Sequence, residues 1–189
     1  MNKFGANYLI TMDDIVREGS AILRKKTEPV TLPVSSEDKE ALQCMLQYLK
    51  NSQDPVISKK YKLRPGVGLS ANQIGIDKRM FAALFEDKQE CMFINPKIIS
   101  HSINMVYLPE GEGCLSVDRD IKGFVPRYER IKVKAYDING QEKIFRFKGY
   151  HSIVIQHEID HLNGIMFYDR INKENPFKLP DNVAIESLY

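Results

Sequence analysis

Gln156-His157-Glu158-Ile159-Asp160-His161 places two histidines four apart, with a glutamate directly after the first. On an α-helix, positions i and i+4 share one face, about 6 Å apart. Two imidazoles so placed can hold one metal ion, and Glu158 beside them can move protons. The chain has four histidines in all, so this pattern does not arise readily by chance. The plain alternative is two exposed helical histidines and a solvated glutamate.

A catalytic metal needs a third protein ligand and an open position. Downstream there is little choice. In His157-Glu158-Ile159-Asp160-His161-Leu162-Asn163-Gly164-Ile165-Met166-Phe167, the position that some zinc peptidases fill with a third histidine holds Phe167. Glu174 and Glu186 stand in a short polar tail with two prolines and no convincing helix. Upstream, Glu110-Gly111-Glu112-Gly113-Cys114-Leu115-Ser116 sets one cysteine among glycines and acids. Alone, Cys114 reads as a buried thiol; beside two metal-spaced histidines it becomes the better ligand, since a thiolate binds divalent iron or zinc strongly.

These residues must be carried by particular elements. Residues 150–162 are expected to be a helix although Ile153-Val154-Ile155 favours a strand by propensity, because the metal geometry needs both histidines on one face. Such a helix must be buried on most sides, and Gly164 is placed to end it. A first helix spans about 36–52, capped by Ser35 with Asp38 three residues on; Leu42, Met45, Leu46 and Leu49 form its apolar face. Cys44 within it reads as a structural thiol. Thr11, three before Asp14, marks a capped turn or short helix. Residues 53–66, between Asp54-Pro55 and Pro65-Gly66, read as a solvated basic loop with Lys59, Lys60, Lys62 and Arg64. Gly66-Val67-Gly68-Leu69-Ser70-Ala71-Asn72-Gln73-Ile74-Gly75 reads by itself as a tight turn, neither a dinucleotide nor a phosphate loop. Residues 79–86 and 91–95 form a hairpin, with a further extended segment at 97–108. Residues 130–136 alternate, Ile131, Val133 and Ala135 on one face; Asn139-Gly140 turns the chain into a strand where Phe145 and Phe147 alternate with Arg146 and Lys148.

The 189 residues suffice for one domain with a real core, and 43% hydrophobic with 28% charged residues is an ordinary globular balance. A net charge of +2 gives by itself no argument for nucleic acid or a membrane surface. Three widely spaced cysteines (Cys44, Cys91, Cys114) make no disulfide framework and suit a reducing cytosol. No apolar run suggests an export signal or a membrane span.

Three segments in order now carry a resemblance. Residues 66–73, Glu112-Gly113-Cys114-Leu115-Ser116 and Gln156-His157-Glu158-Ile159-Asp160-His161 resemble the three motifs of the peptide deformylases, and the likeness extends along essentially the whole chain. The segment at 53–66 and the tail after Phe167 look like the class found in Gram-positive bacteria. The resemblance implies one α+β catalytic domain over residues 1–189, with antiparallel β-sheets packed around the central helix of the HExxH motif. It implies removal of the formyl group from the N-terminal formylmethionine of nascent polypeptides. Cys114, His157 and His161 are then the ligands of one Fe2+, for which Zn2+, Ni2+ or Co2+ can substitute; a hydroxide generated there attacks the formyl carbon. Glu158 is the general base and acid, and the Gln73 amide and the Leu115 N–H steady the oxyanion. Gly68 and Gly113 approach the peptide backbone; Val67, Tyr150, Ile153 and Val154 line the methionine pocket. Apart from the resemblance, Glu112 is expected to pair with Arg127 and brace the cysteine loop, a surface pair of little stabilising value. The expected setting is a cytoplasmic monomer acting on nascent chains, with transient ribosome association and no DNA or membrane partner. Two other readings compete with it, a zinc endopeptidase using a downstream glutamate and a catalytically silent metal-binding or ribosome-associated module.

Overall fold

The computed structural model describes residues 3–5 and 7–188. Its first long element is α1 (Ser36–Gln53), opened as expected by Ser35, whose hydroxyl accepts the Asp38 N–H at 3.1 Å. Leu42, Met45 and Leu49 on α1 are fully buried, each worth about 1.5–3 kcal/mol relative to exposure. Thr11 and Asp14 form a turn, closed by the Thr11 N–H on Asp14 Oδ2 at 2.8 Å.

The segment expected to be a loop contains a second helix, α2 (Pro55–Tyr61). Asp54 caps it by accepting from the N–H groups of Val56 and Ile57, both at 2.8 Å, and Pro55 takes the first turn, where no N–H is needed. Asp-Pro was a helix start rather than a loop boundary.

Among the described residues eight strands follow: β1 (Gly68–Ser70), β2 (Met80–Leu84), β3 (Glu90–His101), β4 (Met105–Tyr107), β5 (Arg127–Tyr128), β6 (Arg130–Tyr136), β7 (Glu142–Lys148) and, in the tail, β8 (Ile185–Ser187). The larger sheet has the order β1-β2-β3-β6-β7 and is antiparallel throughout. The smaller has the order β5-β4-β8. Its β4–β8 pair is parallel, an addition to the expected antiparallel scheme made by tail residues that show no strand pattern. β3 is also longer than expected. It continues through Pro96 with register shifts after Ile94 and after Ile98, so the second half of the hairpin and the first part of the next extended segment are one strand.

The central helix is α3 (Gly149–Leu162), and Ser152 through Leu162 are all buried. β2 lies between the two long helices. Met80, Ala82 and Leu84 pack into the cluster of α1, whereas Phe81 and Ala83 pack with Val154, Ile155, Ile159 and Leu162 of α3. That two-sided burial is why β2 is a continuous apolar run. β6 alternates instead, because only its Ile131, Val133 and Ala135 face α3. The β-branched run 153–155 is helical because tertiary packing outweighs a propensity difference below about 1 kcal/mol per residue. α3 ends at Asn163, and Gly164 follows at φ +74°, where a Cβ would lie 2.4 Å from the Arg24 carbonyl oxygen.

The Asp54 cap is a specific claim about α2. Asp54→Ala is expected to cost about 1 kcal/mol and lower the melting temperature by about 2–4 °C; an unchanged melting curve would remove the cap from the account.

Candidate metal centre

α3 presents His157 and His161 on one face, and the loop after β4 brings Cys114 to them. Cys114 Sγ lies 3.2 Å from His161 Nε2, and the two Nε2 atoms are 3.1 Å apart. All three donor atoms lie within 4.8 Å of one another. Separations of this order are close to what bonds of about 2.0–2.3 Å to a shared tetrahedral centre leave between neighbours. One soft thiolate and two imidazoles are a donor set suited to divalent iron or zinc. The residues therefore fit a metal.

The tautomer of His157 is set by a carboxylate. His157 Nδ1 meets Glu112 Oε2 at 2.8 Å, which turns Nε2 toward the other donors. Glu112 is held in turn by Arg127 through two parallel bonds of 2.8 Å, from Nε and Nη2. Arg127 also donates to Asp160 on α3, and Arg170 closes on the same carboxylate with two bonds of 2.5 Å. The expected Glu112–Arg127 pair is present, but it is buried rather than a surface pair, with the Arg127 side chain 1% exposed. Burial disfavours charge on Glu112, but the Arg127 guanidinium and His157 more than offset it and hold the carboxyl at about 2. Burial likewise disfavours charge on both histidines. For His157 the neighbouring Cys114 and Glu112 outweigh it and push the pKa up; His161, beside His157 and Arg127, is pushed down.

Glu158 points from the same turn of α3 toward β1. Its Oε2 accepts the Ser70 hydroxyl at 2.6 Å, and burial raises its pKa. A Cβ at Gly68 would lie 2.2 Å from Glu158 Oε1, so only glycine lets β1 pass this close to the carboxylate. The 3₁₀ turn Ala71–Ile74 carries Gln73 inward. Gln73 Oε1 accepts the Ser70 N–H at 2.9 Å; its Nε2 accordingly faces the centre, 3.5 Å from Cys114 Sγ and 3.2 Å from Ser116 Oγ. Among the described residues the Leu115 N–H has no backbone acceptor.

A cavity of about 240 Å³ opens over this group. Val67, Gly68, Gly113, Tyr150, Ile153 and Val154 line it together with Gln73, Cys114, Leu115, His157 and Glu158. His161 lies behind, 1% exposed. Phe167, at the position of a third histidine in some peptidases, is buried with its ring stacked on His157 at 6.1 Å between centroids. Glu174 and Glu186 are exposed in the tail.

Several contributors escaped the sequence reading. Ser70 orients both Glu158 and Gln73, and its place inside the glycine-rich motif was the available signal. Asp160, inside the histidine motif, joins α3 to Arg127. Arg64 was expected in a solvated loop; it donates instead to the carbonyls of Cys114 and Val117, both at 3.1 Å, and to Asp118 at 2.8 Å. No local spacing singles out Arg64 or Arg170.

The profile of the family described as Polypeptide deformylase matches residues 12–177. The chain belongs to this family. It is 56% identical over 178 residues to peptide deformylase 2 of Bacillus cereus, covering 92% of this chain and 97% of that one. With peptide deformylase 2 of Bacillus subtilis it shares 55% identity over 183 residues, 94% of this chain and 100% of the relative. The fold matches the crystal structure of the Thermotoga maritima peptide deformylase with a TM-score of 0.69 at 33% identity, over 84% of this chain and 96% of that chain. Membership makes the chain a metal-dependent hydrolase of the deformylase type, and the α+β architecture is the one the solved deformylases share. No helix among the described residues is long and apolar enough to cross a membrane.

Arg127→Ala removes the cation shared by buried Glu112 and Asp160 and leaves Asp160 with Arg170 alone. A loss of about 3–5 kcal/mol of stability is expected, together with weakened metal retention. Unchanged metal content after gel filtration would show that the network does not hold the ligands.

Proposed function

We propose that this chain removes the formyl group from the N-terminal formylmethionine of nascent polypeptides, with Cys114, His157 and His161 as the ligands of one ferrous ion. The convergence of these three donors, two of them lining one cavity together with Glu158, carries the reading. When bound, a divalent cation lowers the pKa of a coordinated water toward neutrality and polarises the formyl carbonyl. Iron is favoured over zinc by the family resemblance; the affinity order alone does not choose it.

The remaining chemistry belongs to the protein. Glu158, with Oε2 engaged by Ser70, takes the water proton at Oε1 and returns it to the departing amine. Its buried position, which raises its pKa, suits it to both roles. Gln73 Nε2 and the Leu115 N–H donate to the oxygen that becomes negative as the carbonyl carbon turns tetrahedral, and losing one such donor costs about 10²–10³ in rate. Tyr150, Ile153, Val154 and Val67 form an apolar slot for the flexible methionine thioether. The backbones of Gly68 and Gly113 flank an extended peptide as a neighbouring strand would.

The endopeptidase reading lacks a ligand, since Glu174 and Glu186 lie in the exposed tail. A silent metal site would need neither Gln73 nor Glu158 at its centre. Residues 1–189 are taken to act as one catalytic domain, a cytoplasmic monomer working on nascent chains near the ribosome.

Formate release from an N-formylmethionyl tripeptide tests the whole proposal, using anaerobic iron-loaded protein. The native chain is expected to release formate. Glu158→Ala should keep its metal and lose turnover, Cys114→Ala should lose both, and Val154→Arg should raise KM. Silence from verified metal-loaded protein would refute the reaction, and full activity of Cys114→Ala would refute the ligand set.

A further inference from the structure

The outer face of the larger sheet carries a charge pattern that the reaction does not use. Arg130 and Lys132 on β6, and Arg146 and Lys148 on β7, are all exposed. The register sets Arg130 directly opposite Lys148 and Lys132 directly opposite Arg146. Like charges directly opposite each other weaken a sheet, so these pairs do not stabilise the ladder. Glu129 stands 3.7 Å from Arg130 and 3.8 Å from Lys148. Lys132 and Arg146 have no carboxylate within ion-pair distance among the described residues. A concavity of about 390 Å³ lies among the four cations, with the His101 ring, stacked on Tyr128 at 3.6 Å, as one wall.

Protection of an open edge explains part of this. β7 ends the sheet, and charged side chains there discourage pairing with another chain. It does not explain matching cations on β6, which is paired on both sides.

We propose that this face docks on RNA through the phosphate backbone. Residues two apart on a strand are about 6.7 Å apart and neighbouring strands about 4.8 Å. Four cations on such a grid exceed what one small anion can satisfy but match a run of phosphates. The proposal rests on the nascent-chain reading above, because a nascent chain is attached to an RNA-rich particle. Lys148, at the end of β7, stands two residues before Tyr150, which lines the cavity, so the patch and the cavity meet at the junction of β7 and α3 although they open on different faces. A net charge of only +2 conceals the patch, since carboxylates elsewhere balance it.

The test is fluorescence anisotropy of a labelled RNA duplex with full-length, metal-loaded protein over a salt series. Four phosphate contacts predict a slope of log K against log salt of about −3.6. Lys132→Glu/Lys148→Glu puts a carboxylate opposite each remaining arginine, which relieves the repulsion and protects the fold. This variant is expected to bind about tenfold or more weakly, with less than half the slope. Lys59→Glu/Lys60→Glu makes the same charge change on α2 and should alter binding by less than about twofold. All three proteins should release formate from a free formylated tripeptide at the same rate, so failure of the enzyme reading shows separately as a silent native chain. Equal RNA binding by the patch variant, equal loss in the α2 variant, or patch-dependent binding to phosphatidylserine vesicles in place of RNA would each overturn the proposal.

Discussion

The site depends on one buried cation. Arg127 sits between Glu112, on the loop that carries Cys114, and Asp160, on the helix that carries both histidines. Neither segment positions the third ligand by itself, and Arg127 joins them. Burial alone would favour a neutral guanidinium, but the two carboxylates keep it charged. Such networks contribute little net stability compared with an apolar core, yet breaking one costs about 3–5 kcal/mol against a typical total of about 5–15. Its value here is positional: it holds His157 Nδ1 on Glu112 and thereby points Nε2 at the centre.

A second constraint is closeness. β1 passes the Glu158 carboxylate where no side chain fits, and Ser70 at the end of the same strand donates to that carboxylate while its N–H fixes the Gln73 amide. Three residues of the glycine-rich segment therefore work as one unit with α3. The helix is consequently buried almost all round, and β2 is apolar on both faces because it fills the layer between α1 and α3. On the far side of the sheet, β6 and β7 turn their alternate residues to solvent, which makes that face available for charge.

Much of this was legible in the residues. The i, i+4 histidines announce a helix and a metal because only that spacing brings two imidazoles together, and the lack of a downstream histidine directs attention to Cys114. Strict alternation in 130–136 and the Asn139-Gly140 turn identified β6 and β7. Other parts were hidden for physical reasons. Asp54-Pro55 caps a helix as readily as it opens a loop, and only the N–H acceptors of Asp54 distinguish the two. β8 is held by pairing with β4, a long-range contact with no local periodicity. β3 runs through Pro96 because the ladder shifts register between Ile94 and Lys97, where the missing N–H falls. Arg64 and Arg170 act through carbonyls and a carboxylate far away in sequence, which spacing cannot reveal.

The central claim is that one thiolate from a loop and two imidazoles from a helix share a single metal. X-ray absorption of the metal-loaded protein addresses this most directly. One metal per chain is expected, with one sulfur and two imidazole nitrogens in its coordination shell, and the sulfur signal should be lost in Cys114→Ser. A shell of nitrogen and oxygen alone in the native protein would contradict it.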